Sequence, residues 1–267
     1  MGDLNGKVAL VTGAARGQGR SHALGLARDG ADIIAIDICG PIRNLPYQHA
    51  TADELADTAD QVKNLGRQVI ALEIDVRDLA ALRDGVDGAV ERLGRLDIVV
   101  ANAGVTAVAR IGEITEDHLD TLLATNIKGV VFTVQKALPL LNDGGSIIIT
   151  GSTTAERGRE GLGVYAATKA AVRSFARTWA NELKGRGVRV NVIVAGSTAT
   201  PGSDNLADQT SPGESITQFR ANRIAGIPLG RFGEPDEIAN AALFLASDLA
   251  SFTTGSTVTA DGGANQI

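Results

Sequence analysis

Seven short apolar runs, joined through stretches of helical spacing, constrain this chain more than any other feature. Lys7–Thr12 is the first; a glycine-rich turn closes it, and residues from about Gly17 to Arg28 place Ala23, Leu24 and Ala27 on one side of a helix. Asp32–Asp37 is a second run, rich in β-branched residues and ending in a carboxylate. Val69–Ile74, Asp97–Ala101, Ser146–Thr150, Val188–Ile193 and about Ser256–Thr259 complete the set of expected strands. Helices are expected near Ala52–Leu65, Leu79–Leu93, Glu116–Leu140, Tyr165–Leu183 and Pro235–Ala246. Strands that are apolar on both faces and connected through helices imply a parallel sheet covered on both sides, with right-handed crossovers.

The pattern therefore predicts one α/β domain over residues 1–267, a doubly wound, Rossmann-like parallel sheet flanked by helices. No Pro/Gly/Ser-rich linker, charge block or internal repeat interrupts it. A formal charge of −6, with both signs mixed along the chain, provides no basic stripe for nucleic acid. Cys39 is the one cysteine, and with the scattered His22, His49 and His118 it suggests neither a disulfide nor a metal site. The N-terminus runs straight into a strand without an apolar signal region, and no apolar run approaches the ~20 residues of a membrane span. A soluble, cytoplasmic protein is expected.

Ligands of such sheets bind beyond the carboxyl ends of the strands, and the chain concentrates its chemistry there. Thr12-Gly13-Ala14-Ala15-Arg16-Gly17-Gln18-Gly19 has glycines at 13, 17 and 19, so its backbone can turn tightly and present free N–H groups to a pyrophosphate at a helix start. A strand-to-helix turn can also use glycine for steric reasons alone. Asp37, twenty residues past Gly17, can accept both hydroxyls of an adenosine ribose and would repel a 2′-phosphate, which favours NAD over NADP. Arg16 pulls the other way if its side chain reaches a 2′-phosphate. Asp75 and the Asn102-Ala103-Gly104 turn stand where adenine and the adenosine ribose would lie, although the turn needs no ligand to explain it.

Tyr165 and Lys169 lie four residues apart, on one helix face, with Ser152 thirteen positions upstream. A free phenol with a pKa of about 10 is a poor base near neutrality. The Lys169 ammonium can stabilise the phenolate and reach the nicotinamide ribose, while Ser152 can hold a substrate oxygen against the phenol. Such a group exchanges the proton of an alcohol or ketone oxygen while hydride moves at the adjacent carbon.

From Lys7 to Gly263 these residues resemble the short-chain dehydrogenase/reductase superfamily in its single-domain branch. The resemblance implies that Asn126, in Thr-Asn-Ile-Lys-Gly, joins Ser152, Tyr165 and Lys169 in a tetrad. It sets the Asp75 side chain and the Val76 backbone on adenine, and Gly196, Thr198 and Thr200 beside the nicotinamide carboxamide. Ala195 stands where the family usually has proline, and Thr198 where an aliphatic residue is usual. Thr254-Gly255 and Asp261-Gly262-Gly263 look like the family's C-terminal strand and turn, which implies a homotetramer. Asp75 stands 75 − 37 = 38 positions after Asp37, and the long stretch beginning Asp-Ile-Cys-Gly-Pro-Ile and containing Pro46-Tyr47 resembles mycofactocin-linked, carveol-type dehydrogenases in which NAD does not exchange. The half after about Thr115 looks more like members with an exchangeable cofactor.

A mobile substrate lid is expected at about residues 197–227, where polar residues, glycine and proline mix with little periodicity. Arg157, Arg159 and Glu160 could face substrate or water, with water favoured. The expected substrate is a small alcohol or ketone: a cyclic terpene alcohol suits the long stretch, a polyol or sugar suits the charges. A 3-oxoacyl-thioester reductase and a non-catalytic NAD sensor are the alternatives; Asp37 with the net acidity opposes the first, the intact Ser152, Tyr165 and Lys169 the second.

Overall fold

A computed structural model describes residues 3–45 and 47–266; Met1, Gly2, Ile267 and Pro46 of the long stretch lie outside the described residues. The strands are β1 (Val8–Thr12), β2 (Asp32–Asp37), β3 (Val69–Glu73), β4 (Leu96–Ala101), β5 (Leu141–Thr150), β6 (Arg189–Ala195) and β7 (Thr257–Ala260). They form one sheet in the order β3-β2-β1-β4-β5-β6-β7, every neighbouring pair parallel. Parallel neighbours need crossover connections, and the helices that provide them cover both faces. Side chains of β1 illustrate the result: Ala9 and Val11 enter one apolar cluster with Ala23, Leu26 and Ile238, while Val8 and Leu10 enter the other with Leu82, Val86 and Val172.

Helices α1 (Gly17–Arg28), α2 (Ala52–Asn64) and α3 (Leu79–Leu93) follow the first three strands. Local chemistry sets their ends. Thr51 and Glu54 form a reciprocal capping box on α2; Asp78 caps α3, which stops at Gly94 in the left-handed region at φ 81°. The single long helix expected over Glu116–Leu140 is three pieces: α4 (Glu116–Leu123), a π-helical turn at Ala124–Gly129, and α5 (Val130–Ala137). The extra residue that a π turn accommodates rotates Asn126 into the interior, where it finds backbone partners described below.

Helix α6 (Gly163–Glu182) carries Tyr165 and Lys169, and α9 (Pro235–Ala246) packs on α1. The 197–227 stretch is more ordered than its weak periodicity suggests. It holds α7 (Pro201–Thr210), capped by Thr200 with Pro201 in its first turn, and α8 (Ile216–Ile224), capped by Ser215. Phe219 and Ala207 anchor the two helices to Ile227, Phe232 and Ala264.

Strand order reverses between β1 and β4, and the turns leaving these two strands touch. A Cβ on Gly13 would lie 2.9 Å from Asn102 Nδ2 and 3.1 Å from Ala103 Cα. Open α/β sheets form their ligand crevice at such a reversal.

Candidate active site

One cavity runs across the carboxyl ends of the strands. Gly13, Arg16, Gly17, Gln18, Gly19, Asp37, Asp75, Val76, Asn102, Ala103, Gly104, Ser152, Tyr165, Lys169, Gly196, Thr198 and Thr200 all line it.

At one end the Gly13–Gly19 turn opens α1 without a side-chain cap. The backbone N–H groups of the first helical turn therefore point at the cavity with their hydrogen-bonding capacity free for an anion. Gly17 adopts φ +57° and no atom lies within 3.6 Å of where its Cβ would be, so the glycine is needed for conformation and for open space. Asp37 Oδ2 accepts the Ala15 N–H at 3.0 Å, which fixes the carboxylate at the cavity wall and leaves lone pairs for a diol. Arg16 Nη2 donates to the Gln48 carbonyl at 2.5 Å, tying the glycine-rich turn to the long β2–α2 stretch. Asp75 is held by Arg77, whose Nη2 approaches to 2.6 Å and whose backbone N–H adds a bond of 2.9 Å. These features fit a dinucleotide whose pyrophosphate meets the helix start and whose ribose meets Asp37.

Between the two ends, Thr12 Oγ1 accepts the N–H groups of Asn102 and Ala103, both at 3.1 Å, and Asn102 Nδ2 returns a bond to the Thr12 carbonyl at 3.0 Å. The turn after β4 is thus fixed to β1. Gly104 faces the reacting end: a Cβ there would sit 3.2 Å from Asn126 Oδ1 and 3.4 Å from Lys169 Nζ. On the far side Gly196 packs on the C-terminal turn, since its Cβ would lie 2.5 Å from Asp261 Cα. Thr198 donates to the Gly196 carbonyl at 3.0 Å, and Thr200 Oγ1 accepts the Ser203 N–H in capping α7.

At the reacting end burial raises the pKa of Tyr165, and hydrogen bonds with the Ser152 and Thr106 side chains act in the opposite direction. Ser152 Oγ also accepts Thr154 Oγ1 at 2.9 Å, which orients its hydroxyl. Lys169 is buried, donates from Nζ to the Thr150 carbonyl at 2.8 Å and lies 5.9 Å from the centre of the Tyr165 ring. Desolvation brings its pKa down to about 8. An ammonium this close favours the phenolate over the phenol, so Lys169 opposes the effect of burial on its neighbour.

Asn126 does not line the cavity. It is fully buried, with Oδ1 accepting the Val105 N–H and Nδ2 donating to the Val105 carbonyl and to Thr168 Oγ1. Several lining residues had no sequence signal. Thr106 touches the phenol; Ile42, Tyr47 and His49 bring the β2–α2 stretch into the cavity wall, and an apolar cluster joins Ile42, Leu45 and Tyr47 to Val105 and Tyr165. Arg159 also lines the cavity instead of facing water, whereas Glu160 pairs with Arg110 at the surface and Arg157 donates to the Ala264 carbonyl. Asn205 and Leu206 of α7, Arg223 of α8 and Phe232 complete this end.

A nucleotide crevice at a strand-order reversal, joined to a half-buried tyrosine and a buried lysine, defines a dinucleotide-dependent oxidoreductase. Residues 13–265 match the family model described as enoyl-(acyl carrier protein) reductase. The chain is 39% identical to the carveol dehydrogenase from Mycobacterium avium crystallised in complex with NAD, with a TM-score of 0.95 over 100% of both chains. A short-chain dehydrogenase from Mycobacterium paratuberculosis bound to NAD is 37% identical, with a TM-score of 0.89 over 100% of both chains. The (−)-trans-carveol dehydrogenase of Rhodococcus erythropolis is 38% identical over 98% of this chain and 99% of its own. The chain belongs to the short-chain dehydrogenase/reductase family. Among the described residues no helix is long and apolar enough to cross a membrane.

Proposed function

We propose that the protein interconverts a cyclic secondary alcohol of the carveol type and its ketone, with Tyr165 as acid and base. Bound NAD supplies the hydride acceptor, or NADH the donor. In alcohol oxidation the Tyr165 phenolate takes the hydroxyl proton while Ser152 holds the same oxygen by a hydrogen bond; in reduction the phenol returns the proton. Lys169 keeps the phenolate accessible through its charge, and Asn126 acts at a distance by fixing Val105 and the turn before it. The reading rests on one observation above others: Ser152, Tyr165 and Lys169 share a cavity with an uncapped helix start and Asp37. Hydride exchange between NADH and a cyclic ketone should vanish in Tyr165→Phe while NAD binding persists; undiminished exchange would reject the assignment.

The α7–α8 segment serves in this reading as the lid of a single-domain enzyme, and the β2–α2 stretch as a wall that slows NAD release. Denaturing the purified protein and identifying the released nucleotide by mass spectrometry tests the second point, since near-stoichiometric NAD or NADH is expected and an empty protein would refute it. A cytoplasmic homotetramer completes the proposal. Exposed Phe252 and Leu249, close in sequence to edge strand β7, give it an apolar surface to cover, and light scattering of the purified protein distinguishes a tetramer from a monomer.

A further inference from the structure

The acidic side chains of the cavity share one end with Arg16, whereas the other end is cationic alone. The carboxylates, Asp37 and Asp75, lie at the adenosine end; the reacting end holds Lys169, Arg159 and Arg223, with no acidic side chain among the described lining residues. Lys169 has the Thr150 carbonyl. Arg159 and Arg223 have neither an ion pair nor a side-chain hydrogen bond among the described residues, although neighbouring arginines do: Arg173 meets Glu156 at 2.5 Å and Arg220 meets Asp204 at 2.8 Å. Arg223 instead stacks on Phe219, its Cζ 4.4 Å from the ring centre, which holds the guanidinium in place without neutralising it.

Both groups are partly removed from water, and burial lowers the pKa of each. A positive neighbour adds to the effect, Arg157 for Arg159 and Arg159 for Arg223, so like charges have been brought together. Half-buried cations of like sign favour an anion between them, and two guanidinium forks suit the planar geometry of a carboxylate. The cofactor's own phosphates already have a place at the start of α1, on the other side of the cavity. Arg159 belongs to the fixed segment between Ser152 and Tyr165, whereas Arg223 comes from the last turn of α8. An anion between them would link lid and catalytic segment.

We propose that the substrate carries a carboxylate beside its secondary alcohol, held between Arg159 and Arg223 while the alcohol faces Tyr165. A hydroxy or oxo acid on an alicyclic ring is the class implied. This inference rests on the alcohol/ketone reading and replaces its terpene alcohol by an acid, since carveol has no charge for the two arginines.

The test compares 3-hydroxycyclohexanecarboxylate with its methyl ester on the NAD-loaded protein. We expect kcat/KM for the acid to exceed that for the ester by about tenfold or more, and the ratio to fall towards one in Arg159→Gln and in Arg223→Gln. Equal rates for acid and ester, or a ratio unchanged in both variants, would overturn the proposal. A second measurement needs no turnover: cyclohexanecarboxylate, but not cyclohexanecarboxamide, should raise the melting temperature of the NAD complex, and less so in either variant. Stabilisation by the carboxylate with no turnover of any alcohol would retain the anion site and reject the oxidoreductase substrate reading. No stabilisation by the carboxylate would reject the anion site itself.

Discussion

The Asn126 carboxamide closes a two-way bond with the Val105 backbone, Oδ1 accepting the N–H and Nδ2 donating to the carbonyl, both at 2.9 Å. Strand-like pairing of this kind inside a helix is possible because the π turn at Ala124–Gly129 directs the side chain away from the helix axis and towards the segment after β4. Asn126→Ala would leave both Val105 groups buried without partners, a cost of about 1–3 kcal/mol for each. We expect a lower melting temperature together with at least a tenfold fall in kcat, because Gly104 and Val105 lose their support beside Lys169. Asn126→Asp, which keeps the acceptor and loses the donor, should fall between the two. A variant with the wild-type melting temperature and kcat would refute the positioning role.

How Lys169 acts is visible in the pH dependence of alcohol oxidation. The phenolate of Tyr165 is the reactive form in that direction, so the rate should rise with pH through the tyrosine's ionisation. With Nζ 5.9 Å from the Tyr165 ring centre, the Lys169 ammonium, present below a pH of about 8, changes the phenol's ionisation by roughly one to two pH units in a medium of effective dielectric near 20. Lys169→Met should therefore move the rising limb to higher pH by about that amount, while Tyr165→Phe removes it and lowers kcat by roughly 10²–10⁴. An unshifted limb in Lys169→Met would show that the lysine serves binding alone.

In the proposed site, nucleotide choice falls to Asp37, whose carboxylate the Ala15 N–H holds at 3.0 Å and which would repel a 2′-phosphate. Asp37→Ala is expected to weaken NAD use by about tenfold and to narrow the NAD/NADP ratio of kcat/KM. With Arg16 engaged by Gln48, the variant should not become an NADP enzyme unless that bond is also released. A ratio unchanged by Asp37→Ala would remove the carboxylate from the specificity argument.

Features governed by backbone geometry or by strand ends were legible in the sequence. Gly13, Gly17 and Gly19 follow from a turn that no other residue type fits, and Asp37 ends a run whose length and β-branching already mark a buried strand. Asn126 was visible through family resemblance alone, because a π turn depends on a distant partner, Val105, and not on local propensity. Arg159 lines the cavity although water was the favoured reading, because a charged residue in a loop faces water by default. Tyr47 and His49 likewise enter the cavity wall through a stretch whose path depends on the Arg16–Gln48 bond rather than on any regular pattern.

Two glycine substitutions separate steric need from propensity. A Cβ on Gly19 would lie 1.8 Å from the Gly13 carbonyl oxygen, and both groups belong to the backbone, so neither can move without opening the turn. Gly19→Ala should lower stability by roughly 1–3 kcal/mol and weaken NAD binding. Gly88 lies within α3 with nothing within 4 Å of its missing Cβ. Gly88→Ala should raise stability by about 0.5–1 kcal/mol with NAD binding unchanged. Thermal unfolding and nucleotide titration of the pair check both signs, and a Gly19→Ala protein that binds NAD normally would contradict the tight-turn account.

His22 makes acid sensitivity predictable. The ring is fully buried in α1, neither nitrogen has a hydrogen-bond partner among the described residues, and desolvation lowers its pKa from 6.5 to about 4. Above pH 6.5 the ring is neutral in folded and unfolded chains alike, and it contributes no pH dependence. Between 6.5 and about 4 the unfolded chain takes up a proton that the folded chain refuses, so stability declines as pH falls. Below about 4 both states are charged and the loss levels off, at an order of 3 kcal/mol for a shift of this size. His22→Phe keeps the ring's shape and removes the proton site along with two orphaned polar atoms, so at neutral pH it should be as stable as the wild type or more so. Carboxylates elsewhere titrate equally in both proteins, which makes the difference between their melting temperatures the measurement to follow. That difference should widen from pH 6.5 down to about 4 and then stay constant; a difference that does not change with pH would mean that His22 is protonated in the folded protein and has found a partner there.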